Sequence, residues 1–170
     1  MKFRILVVDD EKSIRDIFTL VLEDRGFAVR SAESGSDGLA AAAAFRPDVL
    51  LLDMHLPDMT GLGVLSEIRA KLPKCRIIIV TAFGTIKNAV EATKLGAYAY
   101  LEKPVDNDEL LLAIERALEV KQLEAEVEEL RTELSARYAF ENIVGTSARM
   151  NSVFQLMEKI APVDGTVLVT

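Results

Sequence analysis

Residues 49–53, Val-Leu-Leu-Leu-Asp, decide how this chain is expected to fold. Four consecutive apolar residues suit a short β-strand that is covered on both faces, and the aspartate marks the point where the strand ends. Residues 5–9, Ile-Leu-Val-Val-Asp, repeat this arrangement, and residues 77–81, Ile-Ile-Ile-Val-Thr, end on a threonine hydroxyl instead. Three buried parallel strands with polar residues at their carboxyl ends are therefore predicted.

Segments with the apolar spacing of helices separate these strands. Apolar residues recur at intervals of three and four within 14–22, 62–68 and 86–95, and the alanine run 40–44 also favours a helix. Residues that commonly terminate helices follow the four segments, namely Gly26, Pro47, Pro73 and Gly96. Strand and helix are therefore predicted to alternate.

Two weaker strand candidates, residues 27–29 and 98–101, occupy the second and fifth strand positions. Their mixed composition is typical of strands nearer the edges of a sheet. Together the elements predict an α/β fold, a doubly wound five-stranded parallel sheet of the flavodoxin-like type with strand order 2-1-3-4-5. This domain is expected to span residues 1–118.

Composition limits the classes of function. The chain has 170 residues, a net charge of −7 and a single cysteine, Cys75. The acidic balance argues against a broad nucleic-acid or anionic-membrane surface, which needs clustered Lys and Arg. One cysteine excludes an internal disulfide and any multi-cysteine metal site. Because the sequence has neither a membrane-spanning apolar stretch nor a signal-peptide pattern, a cytoplasmic location is expected.

The polar residues that follow the strands are expected to meet at one edge of the sheet. Asp9 and Asp10 follow the first strand, Asp53 the third, Thr81 the fourth and Lys103 the fifth. In doubly wound sheets this edge binds ligands where the strand order reverses, here between the first and third strands. Converging carboxylates repel one another, and Mg²⁺, a hard divalent cation, would relieve that repulsion. Asp53 is the predicted nucleophile toward phosphorus, with Lys103 as the cation and Thr81 as a hydroxyl donor.

Several motifs together resemble the receiver domain of bacterial response regulators, over residues 1 to about 120. They comprise residues 6–10 (LVVDD), 51–57 (LLDMHLP), 80–82 (VTA) and 103–104 (KP), with Gly61 and residues 96–97 (GA). The resemblance implies a phosphorelay protein that receives a phosphoryl group on Asp53 from a sensor histidine kinase. Such a protein is a phosphoacceptor and not a turnover enzyme.

The resemblance also implies individual roles for residues around Asp53. Asp10 would bind Mg²⁺ directly, Asp9 through a water molecule, and His55 through its backbone carbonyl. Thr81 and Tyr100 would form the pair of side chains that switch on phosphorylation.

The residues alone leave other interpretations open. Acidic residues at strand ends also cap helices. His55 has the alternative of a side chain that only faces solvent, and Tyr100 that of an aromatic on an edge strand. The isomer of the Lys103–Pro104 bond is not fixed by the sequence, because X-Pro bonds adopt either form.

Two other classes of protein share this topology. A phosphohydrolase of the haloacid-dehalogenase type also uses a strand-end aspartate, but it needs a second acid two residues later, where this chain has His55. A flavin-binding module would need phosphate-binding Ser, Thr or Gly after the first strand, where this chain has Asp9 and Asp10. Both are disfavoured.

Residues 119–138 have the pattern of a coiled-coil linker helix. Apolar residues alternate at spacings of three and four among many glutamates, at Val120, Leu123, Val127, Leu130 and Leu134. Val and Leu in these positions favour a parallel two-stranded coil, so a homodimer through the fifth helix and the linker is predicted. The alternative is that this apolar seam packs back on its own chain.

The last segment, residues 139–170, contains FENIVG at 140–145 and VLVT at 167–170. With these residues it resembles the start of the AAA+ ATPase module of sigma-54-dependent activators of the nitrogen-regulator class. A loop over 142–147, a helix over 148–160 and a strand over 167–170 are predicted. The glycine-rich phosphate loop of that module does not follow within this sequence, so the chain itself is not expected to hydrolyse ATP or read an operator. Contacts with sigma-54 RNA polymerase and DNA are expected only of a full-length regulator.

Overall fold

Five parallel strands form one sheet in the computed structural model. The structure describes residues 2–82, 85–138, 147, 149, 150, 152, 153, 156 and 157, and for residues 133–138 it describes the backbone alone. The strands are β1 (Arg4–Val8), β2 (Ala28–Ala32), β3 (Val49–Leu52), β4 (Arg76–Thr81) and β5 (Ala99–Glu102). Their order is β2-β1-β3-β4-β5, which confirms the predicted topology and places β2 and β5 at the edges.

The helices are α1 (Lys12–Asp24), α2 (Gly35–Phe45), α3 (Gly61–Lys71), α4 (Ile86–Lys94) and α5 (Asn107–Tyr138). Side-chain hydroxyls of Ser34, Thr60 and Thr85 cap the amino termini of α2, α3 and α4. Gly26 and Gly96 follow α1 and α4 with φ of 85° and 93°, a left-handed conformation that favours glycine. The predicted helix-ending role of both glycines is therefore confirmed.

Alternate residues of the central strands enter two different cores. Ile5, Val7, Val49 and Leu51 pack on one face of the sheet with apolar residues of α1 and α5. Their sequence neighbours on the same strands pack on the other face with residues of α2, α3 and α4, as Leu6, Val8, Leu50 and Leu52. Both faces are covered, which explains why the strand sequences are continuously apolar.

The two edge strands differ from their predicted bounds. Phe27 precedes β2, which instead continues to Ala32, and β5 begins at Ala99 rather than at residue 98. Exposed Arg30 and Ser31 extend β2 because their backbones pair with Leu6 and Val7 of β1, while only one side of the strand is paired. Because Arg30 and Ser31 are polar, the sequence did not indicate that the strand includes them.

The chain divides into two compact units, Met1–Leu123 and Glu124–Thr170. Helix α5 extends without interruption from Asn107 to Tyr138, so the predicted C-terminal helix is present. The proposed domain boundaries at residues 118 and 138 stay predictions. Within the second unit, residues 149, 150, 152, 153, 156 and 157 are helical, whereas the predicted strand over 167–170 and nearly all of the predicted loop over 142–147 lie outside the described residues.

Among the residues that the structure describes, none of the helices combines the length and apolar character needed to cross a bilayer.

Candidate functional site

Backbone hydrogen bonds carry the sheet pairing one residue past the ends of the strands. Asp53 N–H donates to the carbonyl of Val8 at 2.9 Å, and Asp9 N–H donates to Ala32 at 3.2 Å. On the other side, Lys103 N–H donates to Thr81 at 2.9 Å. Because the strands are parallel, these bonds bring their polar successors to one edge, as the sequence predicted.

Three carboxylates cluster at this edge. One carboxylate oxygen from each of Asp9, Asp10 and Asp53 lies within 4.8 Å of the others. Asp9 and Asp53 are buried, with 2% and 6% of their surface exposed, whereas Asp10 is exposed. An all-oxygen cluster of this kind, partly buried and open on one side, suits a hard divalent cation.

Lys103 supplies the positive charge next to these carboxylates. Its ammonium nitrogen lies 2.7 Å from Asp9 Oδ2 and 2.9 Å from Asp53 Oδ2. Burial opposes the charge on Lys103, but the hydrogen bonds to Asp9 and Asp53 outweigh burial and raise its pKa. Burial raises the pKa of Asp9, although the bond from Lys103 acts in the opposite direction. The Lys103–Pro104 bond, left open by the sequence, is cis.

The two predicted switch residues lie on β4 and β5. Thr81 ends β4 and is fully buried. Tyr100 is half-buried and packs on the core that contains Ile79, with which it is paired in the sheet. Burial, followed by the charges of Glu102 and Asp53, raises the pKa of the Tyr100 phenol. Because Ile79 and Thr81 are two residues apart on one strand, Thr81 and Tyr100 share a face of the sheet.

The loop that follows Asp53 folds back on itself. His55 N–H donates to Asp53 Oδ1 at 3.3 Å, the His55 side chain is exposed, and His55 forms an antiparallel bridge with Thr60. Gly61 then passes close to Asp53, since a Cβ at this position would lie 2.4 Å from the carbonyl oxygen of Asp53 and 2.7 Å from Met54 Cα. The turn therefore requires a residue without a side chain.

Asp58 ties the same loop to the start of α2. Its two carboxylate oxygens accept hydrogen bonds from the backbone N–H groups of Gly35 and Ser36, each at 2.8 Å. These bonds, with those from Ser36 first, lower the pKa of Asp58 to about 2. This contact could not be predicted from the sequence, because aspartate in a loop is also common as a turn residue.

Two further residues at the site were not predicted. Glu11 Oε1 lies 3.4 Å from Lys103 Nζ, and the backbone N–H of Glu11 donates to Asp9 Oδ1 at 3.0 Å. Arg15 Nη1 donates to the backbone carbonyls of Asp9 at 2.7 Å and Asp10 at 2.9 Å. The only available signal was position, since both residues closely follow the first-strand aspartates.

Comparison with known proteins assigns a family to most of the chain. The response regulator receiver domain family matches residues 5–115. The regulatory protein AtoC of Escherichia coli is 34% identical over 167 residues, which are 98% of this chain and 36% of AtoC. The transcriptional regulatory protein ZraR of Salmonella typhimurium is 39% identical and similarly covers 99% of this chain and 37% of its own length. The chain thus spans about a third of the curated relatives that it matches.

Solved structures give the same result. The crystal structure of NtrX from Brucella abortus superposes with a TM-score of 0.73 at 38% identity, covering 96% of this chain and 36% of NtrX. A CheY-like receiver domain from Methanospirillum hungatei gives a TM-score of 0.71 at 34% identity and covers 73% of this chain and 99% of its own.

Proposed function

Because the chain belongs to the response regulator receiver family, we propose that it accepts a phosphoryl group on Asp53 from a sensor histidine kinase and thereby controls a longer regulator. The observation that carries the proposal is the grouping of Asp9, Asp10 and Asp53 with Lys103 at the carboxyl ends of the strands. Asp9 and Asp53 both pair with the Lys103 ammonium, which places a positive charge next to Asp53.

In the proposed reaction, an Asp53 carboxylate oxygen forms a bond to phosphorus while the phosphorus–nitrogen bond to the kinase histidine breaks. The electron pair of that bond leaves with the imidazole, and Asp53 becomes an acyl phosphate. Lys103, already 2.9 Å from Asp53 Oδ2, is placed to pair with the transferred group. Thr81, at the end of β4, is the proposed hydroxyl donor to the phosphoryl oxygens.

The carboxylate cluster fits Mg²⁺. Its ligand atoms are oxygens, the preferred donors of this ion, and the exposed Asp10 leaves the cluster accessible. We propose that Asp9, Asp10 and Asp53 hold the ion together with the backbone carbonyl of His55. When bound, Mg²⁺ would neutralise charge on the phosphoryl oxygens.

We propose that Thr81 and Tyr100 transmit the effect of phosphorylation at Asp53. Thr81 is buried at the end of β4, and Tyr100 lies on the same face of the sheet on β5. A bond from the Thr81 hydroxyl to a phosphoryl oxygen would alter the space available to the Tyr100 ring. In this way phosphorylation at the site would affect the part of the domain formed by β4 and β5.

The proposed output requires a second copy of the chain. Leu123, Val127 and Leu130 on α5 are 53%, 47% and 51% exposed, so among the described residues this seam is not covered by the chain's own packing. A solvated helix with an exposed apolar seam is marginal alone, and pairing with another copy would bury that seam. In a full-length relative of the sigma-54-dependent class, such a dimer would connect the receiver to an ATPase module and to DNA binding.

Incubation with Mg²⁺ and a small acyl-phosphate donor, followed by intact-protein mass spectrometry, tests the function. We expect one added phosphoryl group on the wild-type chain and none on Asp53→Asn. Asp58→Asn is the matched control, since Asp58 lies in the same loop but bonds only the start of α2. No adduct on the wild type, or an unchanged adduct on Asp53→Asn, would reject the proposal.

A further inference from the structure

A largely buried arginine lies behind the acidic cluster. The Arg15 side chain is only 12% exposed, although it belongs to the first turn of α1 next to exposed Lys12. Burial of a guanidinium is costly unless its N–H groups find acceptors. Nη1 donates to two acceptors, the backbone carbonyl oxygens of Asp9 and Asp10, and Nη2 lies 3.5 Å from Glu33 Oε2.

We propose that Arg15 is a positioning residue for the cation site, an inference that rests on the proposed function. Its two short bonds reach the peptide groups of two neighbouring residues that both contribute a carboxylate to the cluster. Fixing these carbonyls limits rotation of the chain between β1 and α1, and therefore limits where the two carboxylates point.

Asp9 is held at four points around this turn. Its N–H donates to Ala32, its carbonyl accepts from Arg15, and its carboxylate oxygens accept from Glu11 and Lys103. Asp10 is exposed, and the bond from Arg15 fixes its backbone. Loss of Arg15 would free the Asp10 peptide group more than that of Asp9.

The charge of Arg15 acts without competing for the ligand atoms. Lys103 bonds carboxylate oxygens of Asp9 and Asp53, which are the atoms that a cation would need. Arg15 instead bonds carbonyl oxygens and leaves the carboxylates open. It also joins the β1–α1 turn to the segment after β2 through Glu33. These contacts orient the ligands as outer-shell partners do in metal sites.

The test is a Mg²⁺ titration of the 170-residue chain, followed by calorimetry and by the NMR shift of the Asp53 amide. We expect Arg15→Ala to bind Mg²⁺ roughly tenfold more weakly than the wild type. Lys12→Ala is the matched control, because Lys12 lies on the same helix turn and pairs with exposed Asp16; its affinity should equal that of the wild type.

A second readout separates positioning from a general loss of structure. Phosphorylation by a small acyl-phosphate donor should need more Mg²⁺ in Arg15→Ala, yet reach a rate within about twofold of the wild type at saturating Mg²⁺. Arg15→Lys keeps the charge but cannot reach both carbonyls and Glu33, so we expect an affinity between those of Arg15→Ala and the wild type.

Equal Mg²⁺ affinity of wild type and Arg15→Ala would overturn the inference while leaving the proposed function intact. If Arg15→Ala does not fold, Arg15→Lys decides the matter, and wild-type affinity in that variant overturns the inference. Absence of Mg²⁺ binding by the wild-type chain would overturn the inference and the proposed function together.

Discussion

Lys103 Nζ lies 2.9 Å from Asp53 Oδ2, although the two residues are 50 positions apart in the sequence. The pairing arises because β3 and β5 run parallel and end at the same edge of the sheet, with β4 between them. It places one cation against a carboxylate that is itself close to two others.

Lys103→Gln should lower the phosphorylation rate of the site and raise its affinity for Mg²⁺. Phosphorylation from an acyl-phosphate donor should slow roughly 100-fold, because the charge that would stabilise the transferring group is lost. Mg²⁺ should bind more tightly, because Lys103 no longer occupies Asp9 Oδ2 and Asp53 Oδ2. Quench kinetics and a Mg²⁺ titration measure the two effects. The exposed Lys74→Gln is the control, and weaker Mg²⁺ binding in Lys103→Gln would contradict this account.

Gly61→Ala should destabilise the domain by about 1–3 kcal/mol, because its methyl group would overlap backbone atoms of Asp53 and Met54. Urea denaturation measures the free energy of unfolding. Gly63→Ala on the same helix is the matched control, since its added Cβ would meet only Thr60 Oγ1 at 3.4 Å. That variant should be neutral or stabilised by up to about 1 kcal/mol; similar losses in both variants would contradict the steric argument.

Asp58 should make stability depend on pH in the acid range. Its pKa is about 2 in the fold and 3.8 in the reference state, so the folded state favours the carboxylate. The stabilisation is therefore fully present above about pH 4 and is lost as the pH falls toward 2. The difference in thermal unfolding between wild type and Asp58→Asn should be largest at pH 6 and should shrink as the pH falls from 4 toward 2. Asp16→Asn, which removes only an exposed pair with Lys12, is the control variant.

Cys75 should be unreactive while the protein is folded. The residue is 2% exposed, and burial raises the pKa of its thiol to about 12, so the reactive thiolate is scarce at neutral pH. A colourimetric thiol reagent should label the native chain very slowly and the urea-unfolded chain completely. Because the sequence has one cysteine, the signal is unambiguous. Fast native labelling would contradict the burial.

The exposed seam of α5 predicts a dimer that a single charge can disrupt. Wild type should sediment as a dimer at micromolar concentration, and Val127→Asp should sediment as a monomer, because the charge would be buried between two helices. Glu128→Gln lies one residue away on the outer face and should remain dimeric. A monomeric wild-type chain would remove the dimer from the proposal.

The sequence was sufficient for the elements whose patterns are strong. Continuous apolar runs predicted β1, β3 and β4 because both faces of these strands are buried. The sequence predicted the edge strand β2 less well, because a strand that is paired on one side only tolerates polar residues such as Arg30 and Ser31. Asp9, Asp53 and Lys103 each follow a strand. Because parallel strands end at the same edge of the sheet, these positions were enough to predict that the three residues lie close together.

Contacts through the backbone were not predictable. The bonds from Arg15 to the carbonyls of Asp9 and Asp10, and from the α2 backbone to Asp58, depend on loop paths that composition does not specify. The salt bridge of Lys121 with Asp48 at 2.6 Å is of the same kind, since it joins α5 to the residue before β3. The order of side chains along the sequence does not indicate which distant residues will become partners of this kind.

We propose that Asp53 carries the phosphoryl group, and chemical mapping of the acyl phosphate can locate that group in the chain. Reduction of the phosphorylated chain with borohydride converts an aspartyl phosphate to homoserine, which peptide mass spectrometry locates. We expect homoserine at position 53 and at neither Asp9 nor Asp10, with none in a sample prepared without Mg²⁺. Homoserine at position 9 or 10, or its absence at position 53 in a phosphorylated sample, would contradict it.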